Sequence, residues 1–209
     1  FNQGPLVMTG TDTATATTAG GMLSASATAV ANAGGSAIAI AAARGVEQNA
    51  SASGTASVSF VNAGSFNVVA DASANATDTG ATTALAIANA NAIGVEQNAD
   101  GDVDSTAVFV NSGTFNVTAS AVAAGGTATT GTANAASAQA IGLLADSGNA
   151  INATNSGSLS VNAFASAATV ADASAVAIDY TVDGTASGTI SNAGTISALA
   201  SAVGGAPVT

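Results

Sequence analysis

Cysteine, histidine and tryptophan are absent from this 209-residue chain, and Lys and Arg together contribute a single residue, Arg44. Each absence removes a class of function. Without His or Cys there is no imidazole- or thiolate-based nucleophile pair of the hydrolase kind. Lack of Cys leaves the redox compartment open, because disulfides would indicate export but their absence does not indicate cytosol. One cation against twelve acids gives a net charge of −11. A chain so short of Lys and Arg has nothing with which to neutralise phosphates, which argues against DNA, RNA or an anionic membrane as partner. Aromatic residues are 3% of the chain and Tyr180 is its one tyrosine, so the ring platforms that usually hold sugars are scarce. Paired acids can hydrolyse a glycoside, but with so few platforms the chain reads as no enzyme, with no catalytic residue and no organic cofactor. No run of eighteen apolar residues occurs, so no membrane span is expected, and no signal peptide is visible.

Charged residues make up 6% of the chain and apolar ones 48%. That balance is unlike disorder, which goes with low hydrophobicity and high net charge. Ala exceeds a quarter of all residues and Gly is abundant. A motif, Asn-x-Gly-x-large apolar, recurs five times: Asn2-Gln-Gly4-Pro-Leu6, Asn62-Ala-Gly64-Ser-Phe66, Asn111-Ser-Gly113-Thr-Phe115, Asn155-Ser-Gly157-Ser-Leu159 and Asn192-Ala-Gly194-Thr-Ile196. Its asparagines lie 60, 49, 44 and 37 residues apart. A second block, Gly45-Val-Glu-Gln-Asn-Ala50, returns as Gly94-Val-Glu-Gln-Asn-Ala99, and Gly142-Leu-Leu-Ala-Asp146 keeps its Gly and an apolar residue. Such recurrence marks a solenoid, whose units bury their apolar faces against one another. The spacing divides the chain into repeats of approximately 1–60, 61–109, 110–153, 154–190 and a partial 191–209, within one segment of something longer.

Ala is the strongest helix former, yet the pattern selects strand. Ala occupies positions 84, 86, 88, 90 and 92, with Leu85, Ile87, Asn89 and Asn91 between them. From Phe66 the even positions run Phe, Val, Ala, Ala, Ala, Ala, and the odd ones carry Asn67, Asp71, Ser73 and Asn75. Alternation of period two is a strand signature. The expected fold is therefore all-β: a parallel β-solenoid with flattened coils of long strands, Ala-lined in the middle and wider where Phe66, Val68, Phe115, Val117, Leu159 and Val161 cluster. The motif asparagines are expected to stack as a hydrogen-bonded ladder at successive corners, with the Gly two residues on supplying a positive φ.

With these Asn-x-Gly-x-apolar corners, alternating Ala/Val/Ser strands and Gly-Val-Glu-Gln blocks, the chain resembles the Ala/Gly/Asn/Thr-rich β-solenoid regions of bacterial autotransporter passengers and large surface adhesins. The resemblance covers essentially the whole chain. It implies a right-handed parallel β-helix, export to the bacterial cell surface, and a mechanical role as filament, stalk or adhesin. Coils in that family commonly hold fewer residues than the spacing here, so each repeat is either two coils or one unusually long coil. The implied partners are further copies, through filament formation or end-to-end stacking, because open first and last rungs are adhesive edges. A binding module for a surface glycan or for ice is the alternative.

Four constellations bear on ligands. Asp100, Asp102 and Asp104 alternate in a Gly-containing loop and are the candidate calcium ligands, although the loop lacks the sixth-position Gly and twelfth-position Glu of an EF-hand. Glu47 and Glu96 occupy the same place in successive blocks, where like charges on adjacent rungs repel unless a cation, a proton or water intervenes. Thr9, Thr11, Thr13, Thr15 and Thr17 would make one flat face of a strand, the arrangement an ice-binding reading needs. Sequons at Asn49, Asn75, Asn116 and Asn152 are of the number expected by chance in such a composition.

Overall fold

The computed structural model describes residues 6–10, 13–34, 36–77, 84–125, 134–183 and 187–204. Strand makes up 88% of the structure, against roughly 20–25% in an ordinary globular domain, and no helix occurs among the described residues. Among the described residues, thirteen strands form two parallel sheets. In the first sheet, β1 (Leu6–Gly10), β3 (Ser36–Ala52), β5 (Leu85–Gly101), β8 (Ala135–Ser147) and β11 (Val170–Val182) pair in that order. In the second, β2 (Thr13–Ala33) pairs along the length of β4 (Thr55–Ala76). The front half of β4 then pairs with β6 (Asp104–Asn111), followed by β9 (Ala150–Asn155) and β12 (Ser187–Asn192). Its back half pairs with β7 (Thr114–Gly125), then β10 (Ser158–Ala167) and β13 (Thr195–Gly204).

The chain thus passes once through each sheet per repeat, and the five passes stack in sequence order as a solenoid-like array. One repeat is one coil, and the coils are long. The two layers face each other across a core in which Ala37, Ala39, Ala41 and Ala43 of β3, Ala86, Ala88, Ala90 and Ala92 of β5, and Ala70, Ala72, Ala74 and Ala76 of β4 are all buried. A methyl group is the smallest side chain that still covers a sheet, so strands lined with it pack as a thin double layer. Enlarging these residues should therefore be costly. Ala86→Leu or Ala88→Phe is expected to destabilise by about 1–3 kcal/mol through overpacking, while the exposed Asn89→Ser should stay within about 0.5 kcal/mol. Denaturant midpoints of the three variants check this.

Towards the other end of the coil the core thickens around aromatic columns. Phe60 stacks on Phe109 with ring centroids 5.6 Å apart, and Phe66 on Phe115 at 4.4 Å. The two columns meet edge to face, Phe60 on Phe66 at 5.3 Å and Phe109 on Phe115 at 5.5 Å. The facing sheet accommodates them by removing side chains. A Cβ on Gly45 would come within 2.4 Å of Phe66 Cζ, one on Gly94 within 2.6 Å of Phe115 Cζ, and one on Gly142 within 3.0 Å of Val161 Cγ2. These glycines also reset the alternation. In β3 the odd residues up to Ala43 are buried, whereas from Val46 onward the even ones are. The same switch occurs at Gly94 in β5 and Gly142 in β8. A strand that gains one residue at a bulge turns its following side chains to the other face. The Gly-Val block repeats because a bend repeats.

Candidate functional site

Side chains that could act on anything outside the fold are few, and most polar groups inside it form ladders along the stacking axis. Pairing aligns Asn62 with Asn111, Asn111 with Asn155 and Asn155 with Asn192. Asn62 Nδ2 donates to Asn111 Oδ1 at 2.7 Å and to the Thr114 carbonyl at 3.1 Å. Asn111 repeats this on Asn155 Oδ1 and the Ser158 carbonyl, at 2.7 and 3.1 Å. Asn155 does so on Asn192 Oδ1 and the Thr195 carbonyl, at 2.7 and 3.0 Å. Each amide thus satisfies a neighbour and a bend in the next rung at once. Asn62, Asn111 and Asn155 are all at most 2% exposed, so these bonds are made away from water and are costly to leave unmade.

Three expectations about the motif need correction. The asparagines are not at the ends of the layers. β4 runs unbroken from Thr55 to Ala76 through Asn62 and Gly64, so the motif is a bend within the second sheet. Nor do its glycines supply a positive φ: among the described residues Gly125, at 80°, is the glycine with that conformation. They are needed for close approach. A Cβ on Gly113 would lie 2.0 Å from the Gly64 carbonyl oxygen, one on Gly157 2.1 Å from that of Gly113, and one on Gly194 2.0 Å from that of Gly157. Finally, Asn2 and Gly4 lie outside the described residues, and the first coil meets Asn62 with Gly20, where the register slips between Gly20 and Met22. The ladder's first rung therefore has a glycine where the others have an amide.

A second amide ladder had no place in the sequence reading. Gln97 Nε2 donates to Gln48 Oε1 at 2.9 Å and to the Val108 carbonyl at 2.9 Å, while Gln48 Nε2 donates to the Ser59 carbonyl at 2.8 Å. Both glutamines are buried, and each ties one sheet to the other. The signal was present in the recurring Gly-Val-Glu-Gln block. Reading it required knowing that the glycine reverses the faces, which sends Gln inward and Glu outward. Asn134, also unremarked, accepts from the Ala86 amide at 2.9 Å and donates to the Gly125 carbonyl.

Outward from the Gln ladder, Glu47 and Glu96 lie directly opposite each other on adjacent strands. The cation that their proximity calls for is Arg44. Its Nη1 contacts Glu47 Oε2 at 2.5 Å, and its Nε lies 3.1 Å from Glu96 Oε2, at ion-pair distance but poorly aligned for a hydrogen bond. Arg44, aided by Asn49, whose Nδ2 donates to Glu47 at 3.0 Å, holds the Glu47 carboxyl below its usual 4.5 despite an opposing effect of burial. A depressed carboxyl contributes stability above its unfolded pKa and loses it as pH falls through the folded one. Thermal stability should therefore decline on acidification below about pH 4.5, and Glu47→Gln should flatten that decline. Arg44→Ala should cost about 1 kcal/mol or less at neutral pH. Melting curves from pH 3 to 7 on the three proteins test this.

The remaining candidates disperse. Asp100, Asp102 and Asp104 are exposed, and no three acidic side chains are grouped to hold a metal ion among the described residues. The loop backbone stacks on the preceding rung. Asp102 N donates to the Ala52 carbonyl at 3.2 Å and Val103 N to that of Gly54 at 3.0 Å, with Ser105 Oγ accepting from Gly101 N at 2.7 Å. Melting should accordingly be insensitive to chelator. A drop of several degrees that Asp102→Asn removes would restore calcium to the account, since a bound ion at a hundred times its Kd stabilises by about 2.7 kcal/mol. The Thr run does not form one face: Thr9 lies on β1 in the first sheet, Thr13, Thr15 and Thr17 on β2 in the second, and Thr11 outside the described residues. Across the rungs, Thr13, Thr15 and Thr17 meet Thr55, Ser57 and Ser59.

No protein-family model, curated protein or solved structure matches this chain. What the chain does must therefore be argued from its own geometry. That geometry is largely axial: the buried asparagine amides join one coil to the next.

Proposed function

We propose that this chain is a structural segment of an exported bacterial surface filament, stalk or adhesin, built as a right-handed parallel β-helix and acting mechanically without catalysis. The observation that carries this reading is the commitment of buried amides to rung-to-rung bonds from Asn62 through Asn192. An enzyme or receptor converges polar groups on a concavity. Here they run along the stacking direction, where they resist separation of the coils. Further support comes from a chain with few charged residues and a single cation, and from the resemblance drawn from sequence. Electron microscopy of the purified chain is the test. Elongated or end-joined particles are expected. Compact particles at every concentration, together with saturable glycan binding or thermal hysteresis, would replace this reading with the binding-module one.

A further inference from the structure

We infer that the core holds a binding site for one buried water between the third and fourth coils, made by the Gln97 carboxamide and the Ser147 hydroxyl. This goes beyond the filament reading and is independent of it. Gln97 and Ser147 are each 1% exposed. Gln97 Oε1 and Ser147 Oγ have no hydrogen-bond partner among the described residues. Native cores leave few such atoms, and each one left bare is costly. Glu96 Oε2 also lacks a hydrogen bond, but it lies at ion-pair distance from Arg44 on a side chain that reaches solvent. The Gln97 and Ser147 atoms have neither charge partner nor solvent.

The ladder itself locates the site. Gln97 Nε2 commits its two hydrogens, one back along the stack to Gln48 Oε1 and one across the core to the Val108 carbonyl. Oε1, on the other side of the same planar amide, is left facing the fourth coil. The residue aligned with Gln97 there is Ala145, whose methyl group cannot donate, so the ladder stops. Ser147 is aligned with Ala99, two residues further along the strand. Diagonal neighbours of this kind lie about 7–8 Å apart at the backbone, a span that one water closes. Room comes from a change of side chains. Where the third coil has Gln97, Ala107 and Phe109, the fourth has Ala145, Ile151 and Ala153. A Gln and a Phe have become alanines, and only the exchange of Ala for Ile gives volume back. A water takes about 30 Å³, its share of the liquid, and needs at least two polar partners. Glu96 and Asp146 alternate to the outward positions, so the occupant is neutral.

A high-resolution crystal structure of the unaltered chain should show one ordered water within hydrogen-bond distance, about 2.7–3.2 Å, of both atoms. Absence of density there overturns the proposal, and so does a direct bond between Ser147 Oγ and Gln97 Oε1. Ser147→Ala gives an independent readout in solution. Alanine fits the position, because Ala99 holds the aligned place in the preceding coil. If the hydroxyl holds a water, its removal should lower the melting temperature by about 2–4 °C, the shift expected for one hydrogen bond in a chain of this size. A hydroxyl without a partner would give the opposite sign, since deleting an unsatisfied buried group relieves its desolvation cost. A melting temperature that is unchanged or raised in Ser147→Ala therefore overturns the proposal too.

Discussion

Truncating Phe115 to Ala should lower the unfolding free energy by about 3–5 kcal/mol, the range for deleting a buried aromatic ring. Phe115 is fully buried, stacks on Phe66 at 4.4 Å and meets the edges of Phe60 and Phe109. It also fills the space left by Gly94, so the cavity is bounded on one side by bare backbone that has no side chain to move inward. The chain supplies its own control. The next rung carries Leu159 in the same column and the one beyond it Ile196, so Phe115→Leu should cost about 1.5 kcal/mol or less. Denaturant unfolding of both variants separates a loss of volume from a loss of ring stacking. A Phe115→Ala cost under about 1 kcal/mol would mean that the aromatic columns do not anchor the core.

Asn111→Leu should be comparably damaging, by about 3–5 kcal/mol, although it adds apolar surface. The substitution strips the donor from Asn155 Oδ1 and from the Ser158 carbonyl, and the acceptor from one bond of Asn62 Nδ2. Each buried polar group left without a partner costs about 1–3 kcal/mol. Asn62 keeps its second bond, to Thr114, so the loss falls mainly on the following rung. Asn111→Asp offers a sharper test. Its carboxylate still accepts from Asn62 but faces two acceptors, which raises its pKa above the unfolded value. The variant should therefore be most stable below the unfolded pKa and weaken as pH rises through the folded one. A flat pH response would show that the amide's donor side contributes little.

Strand periodicity was legible because Ala and Val alternate with Ser, Asn and Thr over long stretches, and the single-face rule of a pleated sheet leaves that pattern on the residues. The spacing from Asn62 to Asn192 was legible for the same reason a ladder forms: identical groups must recur where rungs meet. What stayed hidden depends on contacts between residues distant in sequence. Gly45, Gly94 and Gly142 stood out only as a recurring block, yet their job is to clear space for side chains of the other sheet. Gly64, Gly113 and Gly157 looked like positive-φ residues, yet they permit backbone to stack on backbone. The first coil was misassigned because Gly20 stands where the motif has Asn, while Asn2 advertised a match. Arg44 was seen only as the lone cation, and nothing local showed that it would reach both Glu47 and Glu96.

The unbroken course of β4 has a mechanical consequence. A 22-residue strand at about 3.3 Å per residue is at most roughly 70 Å wide, less whatever its bend takes up, while each rung advances the stack by only about 4.8 Å. The body is therefore a plank and not a rod: broad across the strands and two sheets thick. For a plank, rigidity against flexing grows with the cube of the dimension being bent. With a thickness of roughly 20 Å including side chains, it should yield on the order of tenfold more easily through its flat face than in its own plane. Such a body would curl like tape in one direction while staying straight in the other.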